Sequence, residues 1–108
     1  MVLGEPPIRA FVNVDGELRF NQLGNGIVEI WNRSSRPTKI IGISQSCGCF
    51  DLVQNPVSKI IPANQKLVLP LVIKPNRVDW LHQRVELFLD HPKQFRVNVD
   101  VFGSVKGE

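Results

Sequence analysis

The chain has 108 residues, 43% hydrophobic and 21% charged, a length that fits one domain and a composition ordinary for a globular chain with a single core. No apolar run approaches the ~20 residues of a membrane-spanning helix, and Met1-Val2-Leu3-Gly4-Glu5 lacks the charged start and apolar stretch of a secretory signal. Lys and Arg number 13 and Asp and Glu 10, leaving a net charge of +3. Only Arg33, Arg36 and Lys39 cluster at all, which argues against a nucleic-acid or membrane-surface role.

The expected unit is one soluble domain over residues 1–108, with Met1 to Pro7 as a frayed end. Ile8 to Val14 and Leu18 to Phe20 read as strands on either side of a turn at Asp15-Gly16. Gly26 to Asn32 places Val28 and Ile30 on one side and Glu29 and Trp31 on the other, the period-two mark of a strand. Ser34-Ser35-Arg36-Pro37 turns the chain into Thr38 to Gln45, where Ile41 and Ile43 share a parity and Ile40 opposes them. After turns at Asn55-Pro56 and Pro62-Ala63-Asn64, Lys66 to Lys74 puts Leu67, Leu69, Leu71 and Ile73 on one face. Pro70 lacks a ladder donor and points to an edge strand or a bulge, and Val68 and Val72 mark the other face as a second surface open to cover. Val85, Leu87 and Leu89 alternate with Arg84 and Glu86; beyond a turn at His91-Pro92-Lys93, Phe95, Val97, Val99 and Val101 alternate with Gln94, Arg96, Asn98 and Asp100. These two runs form a hairpin. No segment of ten residues carries a capped 3.6-residue period, so the pattern predicts an all-β protein, an immunoglobulin-like β-sandwich of about seven strands.

Cys47-Gly48-Cys49 holds both cysteines, and three states are open to it. In an extended strand the two thiols project together, with the parity of Ile41 and Ile43, and pack inward as small hydrophobes. A bend at Gly48 brings them within reach of a short, strained disulfide suited to exchange. Two thiolates also suit Cu(I), or half of a zinc site. His82 and His91 are the only imidazoles; their separation of nine residues follows no zinc spacing, and they read as a strand start and an exposed turn-side residue. Within ten positions before Cys47 the one basic residue is Lys39, so nothing local activates a thiolate.

Phosphate-cradling glycine loops, nucleophile elbows and spaced acidic pairs are absent, and Asp51, Asp79, Glu86, Asp90 and Asp100 are scattered, so the expectation is not an enzyme. Trp80, in the loop Asp79-Trp80-Leu81 before the His82 strand, is expected to cap one end of the sandwich. With the strands at Thr38, His82 and Gln94 side by side, Ile40, Phe88 and Phe102 face away from the core. They form a candidate partner-binding patch unless the segment around Val2 to Phe11 covers it. Trp31 poses the same question on the opposite sheet. Asn32-Arg33-Ser34 formally matches a glycosylation acceptor, a pattern common by chance.

Five segments carry a family resemblance. They are Ile30-Trp31-Asn32 before a turn, Ile40-Ile41-Gly42-Ile43, Ser46-Cys47-Gly48-Cys49, Ile60-Ile61-Pro62-Ala63-Asn64 ahead of the Leu67 to Ile73 strand, and Val101-Phe102-Gly103-Ser104-Val105. From roughly Leu18 to Val105 the chain resembles the bacterial DUF1573 family, immunoglobulin-like domains related to the ASPM, SPD-2, Hydin and major sperm protein class. It departs from the family's Asn-Thr-Gly at Asn32-Arg33-Ser34, from its threonine at Phe50 and from its Pro-Gly turn at Pro62-Ala63. The resemblance implies the fold and carries no settled activity. It implies the bacterial cell envelope or periplasm where a signal peptide has been removed, and otherwise the cytoplasm. The resulting expectation is a non-catalytic binding or assembly module with a protein partner, no nucleic acid, no membrane span and no cofactor. The alternative is a small thiol protein that binds a soft metal such as Cu(I), or exchanges disulfides, through Cys47-Gly48-Cys49.

Overall fold

The structure is a computed structural model that describes residues 6–45, 50–75 and 77–107. Among these residues the strands are β1 (Ile8–Asp15), β2 (Leu18–Arg19), β3 (Gly24–Asn32), β4 (Thr38–Gln45), β5 (Phe50–Leu52), β6 (Ile60–Ile61), β7 (Lys66–Ile73), β8 (Asp79–His91) and β9 (Gln94–Lys106). A four-stranded sheet, β1-β3-β7-β5, packs on a five-stranded sheet, β2-β9-β8-β4-β6. This is the immunoglobulin-like sandwich expected from the alternating runs. The three-residue β5 and two-residue β6 take the count past the seven strands expected and are too short to leave a periodic trace.

The inward parities build the core. Val28 and Ile30 of β3, Leu69, Leu71 and Ile73 of β7, Leu81, Val85 and Leu87 of β8, and Val99 and Val101 of β9 are each at most 1% exposed. Each such burial is worth about 1.5–3 kcal/mol over exposure, which holds the two sheets in register face to face. β1 begins in the four-stranded sheet, and Gly16, at φ 73°, bends the chain across to β2, which runs parallel to β9 at Val105 and Lys106. Ile8–Asp15 and Leu18–Arg19 therefore lie in different sheets.

Three expectations change in three dimensions. The ladder of β4 with β8 steps from Ile40↔Leu89 to Gly42↔Phe88 and leaves Ile41 as the extra residue of a bulge. The bulge keeps Ile40 in the core, 0% exposed, and turns Ile41 out to 55%; Ile43, opposite Leu87, is still 37% exposed. The expected orientation of Ile40 and Ile41 is thus reversed. Phe95 is 76% exposed despite its parity with Val97; it lies at the hairpin end of β9, where the β8–β9 ladder is irregular between Phe88 and His91. His91, expected at an exposed turn, is buried, and its Nδ1 accepts a hydrogen bond from the Lys93 N–H at 3.1 Å.

Pro70 lies in a strand that β3 flanks throughout and β5 flanks from Leu71 to Ile73. Val53 N–H donates to Pro70 O at 3.0 Å. A strand residue turns its nitrogen and oxygen to the same side, so the missing donor faces β5, one position past the last Leu52↔Leu71 rung. The edge reading holds up to Pro70 and fails beyond it. Asn32, 1% exposed, organises the turn into β4. Its Nδ2 donates to Arg36 O at 2.8 Å and Ile61 O at 3.1 Å, while Oδ1 accepts from Ser34 N and Oγ at 2.9 and 2.6 Å. The amide that glycosylation requires is committed to the fold, which removes the acceptor reading.

Candidate binding surfaces on the two sheet faces

On the outer face of the five-stranded sheet, β8 presents Trp80, His82, Arg84, Glu86 and Phe88, paired in order with Ser104, Phe102, Asp100, Asn98 and Arg96 of β9. The patch expected from Ile40, Phe88 and Phe102 does not assemble. Ile40 is inside; Phe88 lies over Gly42, where an added Cβ would meet its Cδ2 at 3.2 Å; and Phe102 sits six residues along the ladder from the Phe88 rung, ~20 Å away. The ground between them is polar. Arg84 Nε donates to Asp100 Oδ1 at 2.8 Å, and His82 Nε2 lies 3.1 Å from the same oxygen. Partial burial pushes the Asp100 carboxyl up, yet the hydrogen bonds and charges of Arg84 and His82 outweigh it and hold the group below its ordinary range.

The rings gather at one end of this face. Phe102 stacks on His82 with centroids 4.3 Å apart, and Trp80 meets Phe102 at 6.4 Å and 42°. Trp80 lies in β8 and is 55% exposed, so it does not cap the sandwich as expected; its parity in the strand, opposite to that of Leu81, turns it to solvent. Of the N-terminal segment, Ile8 to Phe11 pairs in the other sheet and does not cover this face, while Val2 to Glu5 lies outside the described residues.

The outer face of the four-stranded sheet is different in kind. Its cross-strand rows run Arg9–Trp31–Lys66, Phe11–Glu29–Val68, Asn13–Ile27–Pro70 and Asp15–Asn25–Val72. Phe11, Ile27 and Val68 are 42%, 37% and 43% exposed and occupy adjoining rows. Glu29, half-buried among them, accepts from Trp31 Nε1 at 3.3 Å and from Lys66 Nζ at 3.5 Å, and Lys66 also sits 5.1 Å from the Trp31 ring centroid. Arg9 covers Phe11 in the same way at 5.4 Å. Trp31 is therefore half-buried at the basic end of an apolar face whose other end carries Asp15 and Asp51.

Of the residues singled out from sequence, Trp31 and Phe102 stand on opposite faces, Ile40 is in the core, and Phe88 is half-covered. Cys47, Gly48 and Cys49 lie outside the described residues. His82 and His91 do not converge: the first faces solvent and the second is buried. Among the described residues no three His, Cys, Asp or Glu side chains gather as metal ligands. Val68, on the face of its strand expected to be open to cover, is joined by Phe11 and Ile27, which the sequence reading does not single out; their signal is apolar residues on both parities of Ile27 to Trp31 and of Leu67 to Ile73.

No family model and no curated protein matches the chain. Among solved structures, an ASH / PapD-like domain of human CEP192 (PapD-like domain 7) superposes with a TM-score of 0.60 at 10% identity, covering 98% of this chain and 90% of that one. A copper-bound PCuAC domain from PmoF2 gives 0.48 at 14% identity over 98% of this chain and 97% of that one. A GH20 exo-β-N-acetylglucosaminidase from Vibrio harveyi gives 0.43 at 14% over 95% of this chain and 18% of that one. At 10% identity the first of these is a likeness of fold: the chain is an immunoglobulin-like β-sandwich similar to PapD-like domains.

Proposed function

We propose that this chain is a non-catalytic binding module that docks a protein partner on the outer face of its four-stranded sheet. The observation that supports this reading is the exposure of Phe11, Ile27 and Val68 around the half-buried Glu29, on a face where β3 and β7 carry apolar side chains at outward as well as inward positions. Strands covered on one side only keep a polar face to water, whereas strands covered on both sides are apolar throughout. The fitting partner presents an apolar surface, with carboxylates at its rim toward Arg9 and Lys66 and cations toward Asp15 and Asp51.

The test is a comparative capture from a lysate of the source organism with three baits: the native chain, Val68→Asp and Phe102→Asp. The expected result is a partner retained by the native chain and by Phe102→Asp and lost by Val68→Asp, with all three baits folded by circular dichroism. Loss by Phe102→Asp alone would move the site to the Trp80–Phe102 end of the other face. A partner held equally by all three would remove both faces from consideration.

A further inference from the structure

The four outermost strands of the sandwich are β1, β5, β2 and β6. Sheet edges invite pairing with another chain, and proteins restrain them by keeping them short, bulged or interrupted by proline. β2, β5 and β6 are two or three residues long. β1 is the exception: eight residues without proline, pairing with β3 at every position from Ile8↔Asn32 to Asp15↔Asn25 with no break in register.

The direction of its backbone groups is given by its first rung. Gln94 Oε1 accepts from Ile8 N–H and Gln94 Nε2 donates to Ile8 O, both at 2.8 Å, so the side-chain amide takes the place of a neighbouring strand there. Alternate residues turn their N–H and C=O the same way, and Ala10, Val12 and Val14 therefore also point theirs away from β3. Among the described residues no strand pairs with that edge. At its far end the chain leaves the sheet at Gly16. The side chains of Ala10, Val12 and Val14 face the core yet are only partly buried, whereas those of Val28 and Ile30 next door are 0% exposed. The longer β9 is restrained differently: Gln94 also bonds Arg96 O, and Leu18 lies against Gly103, where a Cβ would meet its Cδ1 at 2.9 Å.

From this geometry we infer that β1 pairs with β1 of a second copy of this chain, antiparallel about Val12, joining two four-stranded sheets into one. The open stretch is symmetric about Val12. In this register Val12 faces its own counterpart and Ala10 faces Val14 of the second copy, and each of these pairs exchanges two backbone hydrogen bonds. The intervening positions bring Arg9 opposite Asp15 of the second copy, on the outer face, where side chains of non-hydrogen-bonded pairs approach most closely. Within one copy Arg9 and Asp15 stand ~20 Å apart along the strand and cannot meet. The ladder ends where Gln94 occupies Ile8, so three backbone pairs and two ion pairs define the contact. Such a small interface makes a reversible dimer. The inference rests on the backbone of the β1 edge and not on the apolar face proposed above, with which it shares Arg9 and Asp15.

Sedimentation velocity on the full chain, from ~10 μM to ~1 mM, tests it, because a small contact dissociates within or near that range. The expected result is a monomer–dimer equilibrium. Val12→Pro removes an N–H on the open edge and leaves the β3 ladder intact, so it should raise the dissociation constant at least about tenfold with an unchanged circular dichroism spectrum. Asp15→Arg should weaken the dimer as well, and Arg9→Asp/Asp15→Arg should restore it. A chain that stays monomeric to the highest concentration overturns the inference, as does a dimer indifferent to both single changes. If Val12→Pro does not fold, the charge reversal decides: weakening with rescue supports β1 pairing, and weakening without rescue overturns it.

Discussion

The outer faces of the two sheets, one on strands of 9 and 8 residues and the other on two strands of 13, are built by different rules. Along β8 and β9 inward aliphatics alternate with Arg84, Glu86, Asn98 and Asp100, and the exposed rings of Trp80 and Phe102 are confined to one end. Along β3 and β7 the inner parity is apolar and the outer one carries Ile27, Trp31, Val68, Pro70 and Val72 beside Asn25, Glu29 and Lys66, with Glu29 held by Trp31 and Lys66. Alternation is what water imposes on a strand face. Where it lapses over two neighbouring strands, an additional contact is the physical reason to expect.

The sharpest way to break this comparison is to exchange the sides within one strand. Ile40→Ala should cost about 2–5 kcal/mol in urea unfolding, as a buried truncation that leaves a cavity, while Ile41→Ala on the bulge should stay within about 0.5 kcal/mol. Equal costs would mean that the bulge does not set the orientation of β4. Next in size, Asn32→Ala should lose roughly 1–3 kcal/mol, because it leaves Ile61 O without its donor and releases the Ser34 turn.

A smaller effect concerns the polar face. Asp100 titrates below its unfolded value of about 3.9, so the stability it contributes is present above that pH and is lost as pH falls through the depressed folded value. Thermal unfolding measured from neutral pH down to pH ~2.5 should show this acid loss in the native chain and a reduced slope in Asp100→Asn. An identical slope would remove the Arg84–Asp100 pair from the balance. The smallest expected change comes from Cys47→Ser/Cys49→Ser, which should leave partner capture intact. Loss of capture, or of a copper adduct in native mass spectra, would transfer recognition from the sheet face to the thiols.

Much of the architecture was legible in residue order. The hairpin across His91-Pro92-Lys93, the strand Thr38–Gln45, and the inward sets Leu69, Leu71, Ile73 and Val85, Leu87, Leu89 follow from period two and turn chemistry alone. The candidate surface was far less legible. Parity counted through β4 places Ile40 on it, and a bulge, which adds one residue without altering composition, reverses the count. Trp80 reads as a loop residue from sequence because β8 begins at Asp79, three residues ahead of the strand that the pattern marks from His82. The DUF1573 resemblance leans on Ser46-Cys47-Gly48-Cys49, which lies outside the described residues.

The order of residues sufficed to establish an all-β sandwich, its main strands and most of its core, because burial on one side of a strand writes itself into every second position. Tertiary structure alone decided which strands share a sheet, that β1 crosses to β2 through Gly16, and that Phe11, Ile27 and Val68 gather around Glu29. Pairing between strands distant in sequence is settled by backbone hydrogen bonds and sheet closure, which depend on no particular side chain and so leave no local pattern to read.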